Sequence, residues 1–112
     1  MSCVKTEERL CAIRTYIEQH LAEKITVREM AASLGLHPSY LNTFFCRRTG
    51  ESIQAYIRRR KMQKAVEMIL KTNYSLSQIG ASLGYFDQSH FSRTFQKETG
   101  MTPGRYRETH KL

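Results

Sequence analysis

The chain has no tryptophan, two prolines and three cysteines in 112 residues. Proline breaks helix interiors, so with only Pro38 and Pro103 present almost every stretch is free to be helical. Cys3, Cys11 and Cys46 are odd in number and lack metal-type spacing, which excludes a disulfide framework and a cysteine zinc site. His20, His37, His90 and His110 are scattered and match no zinc spacing either. The glycines stand singly, so there is no phosphate-cradling loop. No nucleophile, base and orienting group occur in a recognisable arrangement, and an enzyme is the wrong class. Neither a metal nor a cofactor is expected. No apolar run approaches the ~18 residues of a membrane span, and the N-terminus lacks the apolar region of a secretion signal. The expectation is a cytoplasmic chain with reduced thiols, in which Cys46 is a small buried helix residue and not an oxidant sensor.

What the chain does contain is a repeat. Thr26, Gly35, Ser39, Leu41, Phe45, Thr49, Gly50 and Tyr56 line up with Ser75, Gly84, Ser89, Phe91, Phe95, Thr99, Gly100 and Tyr106, at an offset of 49 that becomes 50 after one inserted residue in the turn. Each copy reads as two helices around a tight turn. In the first, Thr26 with Glu29 has the form of a capping box, Met30, Ala31 and Leu34 supply an apolar stripe, and Gly35 supplies a left-handed stop. Pro38 suits the first position of the next helix, which runs through Leu41, Phe44 and Phe45 to Thr49 before Gly50. The second copy has Ser75 and Gln78 as cap, Ile79 and Leu83 as stripe, Gly84 as turn, Phe91 and Phe95 as core, and Gly100 as stop. A short helix, a glycine-containing turn and a longer helix make a helix-turn-helix. Two copies in register are much stronger evidence than one.

The formal charge is +8. Residues 1 to 25 balance Lys5, Arg9, Arg14 and Lys24 against Glu7, Glu8, Glu18 and Glu23, so the whole excess lies where the repeats are. A polyanion is the implied partner. A membrane surface fits poorly, because no strongly amphipathic basic helix stands apart from the core. RNA fits less well than duplex DNA: Phe44, Phe45, Phe91 and Phe95 sit in core phase, where they cannot stack on exposed bases.

Periodicity predicts an all-α fold of about seven helices, two helix-turn-helix subdomains joined by a long linker helix. The first helix spans Thr6 to Leu21, with Leu10, Ile13, Ile17 and Leu21 on one side. The first unit covers about 26–50, the linker helix about 52–72, the second unit about 75–100, and a last helix about 103–109; Asn73, Tyr74 and Ser75 form the link between the halves. A helix of about 20 residues spans ~30 Å, close to the ~34 Å of one duplex turn. Such a strut would hold two recognition helices in successive major grooves and read an asymmetric tandem site. Arg58, Arg59, Arg60 and Lys61 sweep around most of its circumference, and for most of them a solvated, partly salt-bridged face is the competing reading.

The stretch Phe95, Gln96, Lys97, Glu98, Thr99, Gly100, Met101, Thr102, Pro103, Gly104, Arg105, Tyr106, Arg107 resembles the signature that closes the DNA-binding domain of AraC/XylS-family transcription regulators. Gly80, Ala81, Gly84, Tyr85, Ser89, Phe91, Ser92 and Arg93 fit the pattern just before it, and Tyr56, Ile57, Ala65, Ile69 and Leu70 fit the linker helix. The likeness covers nearly the whole of residues 1–112. The first unit is the more divergent half, and Lys61 stands where an arginine is common. The resemblance implies a double-stranded DNA partner and, most often, activation through contact with RNA polymerase. It implies either a monomer that acts alone or a dimer through a regulatory domain that this chain does not contain.

Groove-facing residues must avoid the apolar phase of each recognition helix. That leaves Ser39, Asn42 and Thr43 outward in the first and Gln88, Ser89, Ser92 and Arg93 in the second. The resemblance implies that these read base edges: Arg93 suits guanine, and Asn42 or Gln88 suits adenine. For Ser39, Thr43 and Ser92 a phosphate or water contact is the alternative. The helix starts around His37 to Ser39 and Asp87 to Ser89 present N–H groups to phosphate. Tyr40 flanks the first, and His90, Arg47 and Lys97 would add contacts, with surface solvation the alternative for Arg47 and Lys97. Thr102 and Pro103 start the last helix, Tyr106 packs, and Arg107 either meets phosphate or pairs with Glu98.

Overall fold

The computed structural model describes the backbone of residues 2–110 and the side chains of residues 6–110, so the expectation placed on the Cys3 thiol lies outside the described side chains. Among the described residues there are seven helices and no strands: α1 (Ser2–Gln19), α2 (Val27–Leu34), α3 (Pro38–Thr49), α4 (Ile53–Lys71), α5 (Leu76–Ser82), α6 (Gln88–Thr99) and α7 (Pro103–Thr109). None of these is long and apolar enough to cross a membrane. Helix α1 begins earlier than its apolar stripe, since neither proline nor glycine stands upstream of Thr6 to stop it. It also ends two residues before Leu21, which is buried in the turn that follows.

Local chemistry sets the other boundaries. Ser75 and Gln78 form a reciprocal capping box. Only half of the equivalent box forms at α2, where Thr26 Oγ1 accepts from Glu29 N at 3.1 Å but gives its own proton to Glu29 Oε1. The Glu29 carboxylate takes the hydroxyl in place of the cap backbone N–H. Helices α3 and α7 both open on proline, behind His37 and Thr102 as caps. Gly50 and Gly100 close α3 and α6 in the left-handed region.

The chain divides into two compact units, Met1–Leu21 with Ile25–Ile57, and Ala22–Lys24 with Arg58–Leu112. The division falls inside α4 and not at Asn73 to Ser75. The reason is burial: Ile53, Tyr56 and Ile57 complete the first core with Ile13, Leu41 and Phe45. Met62, Ala65 and Ile69, farther along the same helix, pack with Ile79, Phe91 and Phe95. Phe45, Phe91 and Phe95 are fully buried, so truncating any of them to alanine would cost about 3–5 kcal/mol. Phe44 packs at the margin of the first core, half-buried.

The repeat holds at the level of single hydrogen bonds. Thr49 Oγ1 donates to Phe45 O at 2.8 Å and accepts from Glu51 N at 3.3 Å. Thr99 Oγ1 donates to Phe95 O at 2.8 Å and accepts from Met101 N at 3.4 Å. Tyr56 meets the edge of Phe45 with ring centres 5.3 Å apart, and Tyr106 meets Phe95 at 5.5 Å.

Two basic residues find partners that lie far away in the sequence. Arg107 does not pair with Glu98; its guanidinium donates to Ile69 O in the last turn of α4 and to Thr72 O and Tyr74 O in the segment that follows. Ile69 O is an orphan carbonyl of a helix terminus, which a cation satisfies well, and the other two belong to the non-helical segment beyond it. Glu98 pairs with Arg58 at 2.9 Å. Lys61 is buried, 6% exposed, and its ammonium donates to Glu23 O and Leu83 O within the second unit. It also lies 5.5 Å from the centre of the Tyr85 ring. A buried ammonium needs such partners, so Lys61 is excluded from the solvated face of its basic run.

Candidate nucleic-acid interface

In the first unit, Leu41 and Phe45 anchor α3 and leave Ser39, Asn42 and Thr43 exposed. At ~100° per residue Ser39, Thr43 and Arg47 lie on the side opposite the two anchors, with Asn42 and Cys46 on the adjoining flank, all of them exposed. Cys46 is therefore not buried. Its residue type suggested a small core side chain, but it follows Leu41 by five positions, which carries it to the outer face.

The second unit repeats the arrangement. Phe91 and Phe95 anchor α6; Gln88, Ser89 and Arg93 are exposed and Ser92 is half-buried. Arg93 occupies the phase of Thr43, Lys97 that of Arg47, and Gln96 that of Cys46. Gln96 is exposed and was passed over in reading the sequence, although its spacing of three from Arg93 was visible there.

The two helix starts differ in chemistry. His37 caps α3 by accepting from Ser39 N at Nδ1, 3.2 Å. Asp87 caps α6 by accepting from His90 N at 2.7 Å. The Ser39 N–H, one of those expected to face phosphate, is thus taken by a side chain, whereas the His90 N–H lies just beyond the stretch Asp87 to Ser89. The His90 ring stands edge-on to half-buried Tyr85 at 5.3 Å. Burial raises the Tyr85 phenol above its usual pKa; nearby Arg58 opposes that shift and Glu98 adds to it.

Tyr40, exposed on α3, accepts a hydrogen bond from Arg9 of α1, whose guanidinium sits 5.5 Å from the ring centre. Tyr40 also stacks on Phe44 at 5.8 Å. Arg9 thereby brings a cation from α1 to the margin of α3, an assignment that local periodicity could not provide across 31 residues. Of the basic run on α4, Arg58 is held by Glu98, Arg60 donates to Gln63, and Lys61 is buried. Among the described residues there is no group of three or more metal-ligating side chains. Each unit thus presents one capped helix whose outer face carries hydroxyls, amides and cations above an aromatic core. Such a face can hydrogen-bond to base edges and neutralise phosphates.

A family model described as a helix-turn-helix domain matches residues 30–109. Over 105 residues the chain is 35% identical to YobQ, an HTH-type transcriptional regulator of Bacillus subtilis (strain 168); the match covers 94% of this chain and 44% of that protein. The chain thus spans under half the length of this relative. Among solved structures, the C-terminal domain of AraT, a response regulator from Geobacillus stearothermophilus, matches with a TM-score of 0.90 at 30% identity, over 93% of this chain and 87% of that one. A transcriptional regulator with an AraC-type DNA-binding domain from Chromobacterium violaceum shares the fold, with a TM-score of 0.85 at 21% identity over 97% of both chains. With the duplicated helix-turn-helix, the closing signature and these relatives in agreement, the chain belongs to the AraC/XylS family of transcription regulators, as its DNA-binding domain.

Proposed function

We propose that the chain binds double-stranded DNA as a monomer, setting α3 and α6 in successive major grooves of an asymmetric site, and that the protein it serves activates transcription in the cytoplasm by contact with RNA polymerase. One observation carries the reading: the same outward stripe, Ser39, Asn42 and Thr43 on α3 and Ser89, Ser92 and Arg93 on α6, occurs twice in one polypeptide. Helix α4, 19 residues and therefore about 28 Å long, contributes to both cores without a break. Its length is close to one duplex turn, ~34 Å. Duplication within one chain favours a tandem arrangement of half-sites over a palindrome. In this reading Ser39, Asn42, Thr43, Gln88, Ser89, Ser92 and Arg93 face bases, while His37, Tyr40, Arg47, His90 and Lys97 lie toward phosphates. Asp87 orders the start of α6. Any dimerisation would come through a regulatory domain that these residues do not form.

The experiment is selection of bound sequences from a random duplex library, followed by inversion of one half-site at fixed spacing. The expected result is an asymmetric footprint of about two turns and loss of specific binding on inversion. Equal affinity for both orientations would overturn the tandem reading. Log affinity should fall against log salt with a slope of about −0.9 per phosphate neutralised, and a slope near zero would remove duplex DNA as the partner.

A further inference from the structure

The two turns differ by one residue, and the structure identifies which one. In the first unit the chain passes from Gly35, at φ +70°, through half-buried Leu36 to the cap His37. In the second it passes from Gly84, at φ +83°, through half-buried Tyr85 to Phe86 and only then to the cap Asp87. Left-handed glycine, packed residue and cap correspond in turn, so Phe86 is the residue with no counterpart.

Its ring is 98% exposed, against 53% for the next most exposed large apolar side chain, Tyr74. A phenyl ring in water forgoes the favourable transfer that burial brings. The segment around it is well anchored: Tyr85 packs on Phe91 with ring centres 5.5 Å apart, and Asp87 is tied to His90 N. The anchored neighbours thus place Phe86 just before the N-terminal end of α6, the end of a recognition helix that meets base edges.

We infer that Phe86 reads a base, its ring packing on the 5-methyl group of a thymine at the margin of the half-site read by α6. The inference rests on the DNA-binding function proposed above. Thymine alone among the bases presents an apolar group on its major-groove edge, and phenylalanine is among the side chains that contact it. The ring has no hydrogen bond to offer any other base. A contact with deoxyribose would use the same apolar surface but would carry no sequence information.

The test uses the full chain and the duplex it selects from a random library. Each thymine is replaced in turn by deoxyuridine, which lacks only the methyl group, and affinity is measured for the wild type and for Phe86→Ser. At 98% exposure the ring is not part of the core, so the variant should melt as the wild type does; circular dichroism checks this. One thymine replacement should weaken the wild type about fivefold, the scale of one lost apolar contact, and leave Phe86→Ser unaffected. On the unmodified duplex Phe86→Ser should show the same loss of about fivefold. If no position separates the two proteins, the thymine contact is wrong, and a uniform loss on all duplexes would assign the ring to deoxyribose. A wild type that selects no duplex would overturn the DNA-binding reading itself, whereas selection with identical behaviour of both proteins overturns only the role of Phe86.

Discussion

Arg107 donates to the carbonyl oxygen of Tyr74 at 2.7 Å, and the same guanidinium reaches Ile69 O and Thr72 O at 3.2 Å. A residue of the closing signature thus fastens α7 to the end of α4, within the unit that carries Arg93.

Arg107→Ala should therefore lower stability, by about 1.5–3 kcal/mol for hydrogen bonds made by a charged group. Below the melting transition, the base preference of the folded variant should be that of the wild type. Denaturant titration and binding to the selected duplex measure the two. Unchanged stability with a flatter salt slope would make Arg107 a phosphate contact instead.

The sequence showed what is local. Caps, glycine stops and the 3.6-residue period place Thr26, Ser75, Thr102, Gly35 and the aromatic cores, because each depends on neighbours within about one turn. Arg107 and Lys61 could not be placed from the sequence because their acceptors lie 33 to 38 and 22 to 38 residues away, beyond the reach of any periodicity. Cys46 failed for a different reason. Residue type was allowed to override helical phase, and phase was correct.

Gly35 and Gly84 occupy the same place in the two turns but should tolerate alanine unequally. At Gly35 an added Cβ meets nothing within 4 Å, so only the left-handed backbone is penalised, by about 1–2 kcal/mol. At Gly84 the Cβ would fall 2.6 Å from the backbone C and O of Glu23 and 3.0 Å from Lys61 Nζ. Gly84→Ala should consequently lose clearly more stability than Gly35→Ala in chemical denaturation. Equal losses would mean that the segment at Glu23 yields freely.

Burial holds the Lys61 ammonium below the usual lysine value of 10.5, and the Glu23 carboxylate opposes part of that shift. The unfolded chain then binds this proton more tightly than the folded one, so the contribution of Lys61 to stability rises with pH between its folded value and 10.5. Tyr85 acts with opposite sign: its raised pKa gives stability that is full below 10.0 and is lost as pH climbs through the raised value. The stability of wild type relative to Lys61→Met should grow as pH is taken from neutrality toward 10.0. A difference that shrinks over that window would show an ammonium that is not desolvated.

Arg93 and Lys97 provide the sharpest test of how the proposed interface divides its labour. Both are exposed on α6, but Arg93 lies two positions after the anchor Phe91, opposite the core, whereas Lys97 is a turn later, two positions after Phe95 and nearer the C-terminal end. A bidentate donor at the first place suits guanine, and a point charge at the second suits the backbone. Arg93→Ala should cost about 1–3 kcal/mol at the selected site and relax discrimination at one base pair. Lys97→Ala should weaken all duplexes more evenly and flatten the salt slope by about one unit. Neither side chain is part of the core, so damage to the fold, which would depress both kinds of binding together, is distinguishable from either result. If a folded Arg93→Ala protein loses the same factor on specific and random DNA, Arg93 is a phosphate anchor and the base-reading role passes to its neighbours Ser89, Ser92 and Gln96.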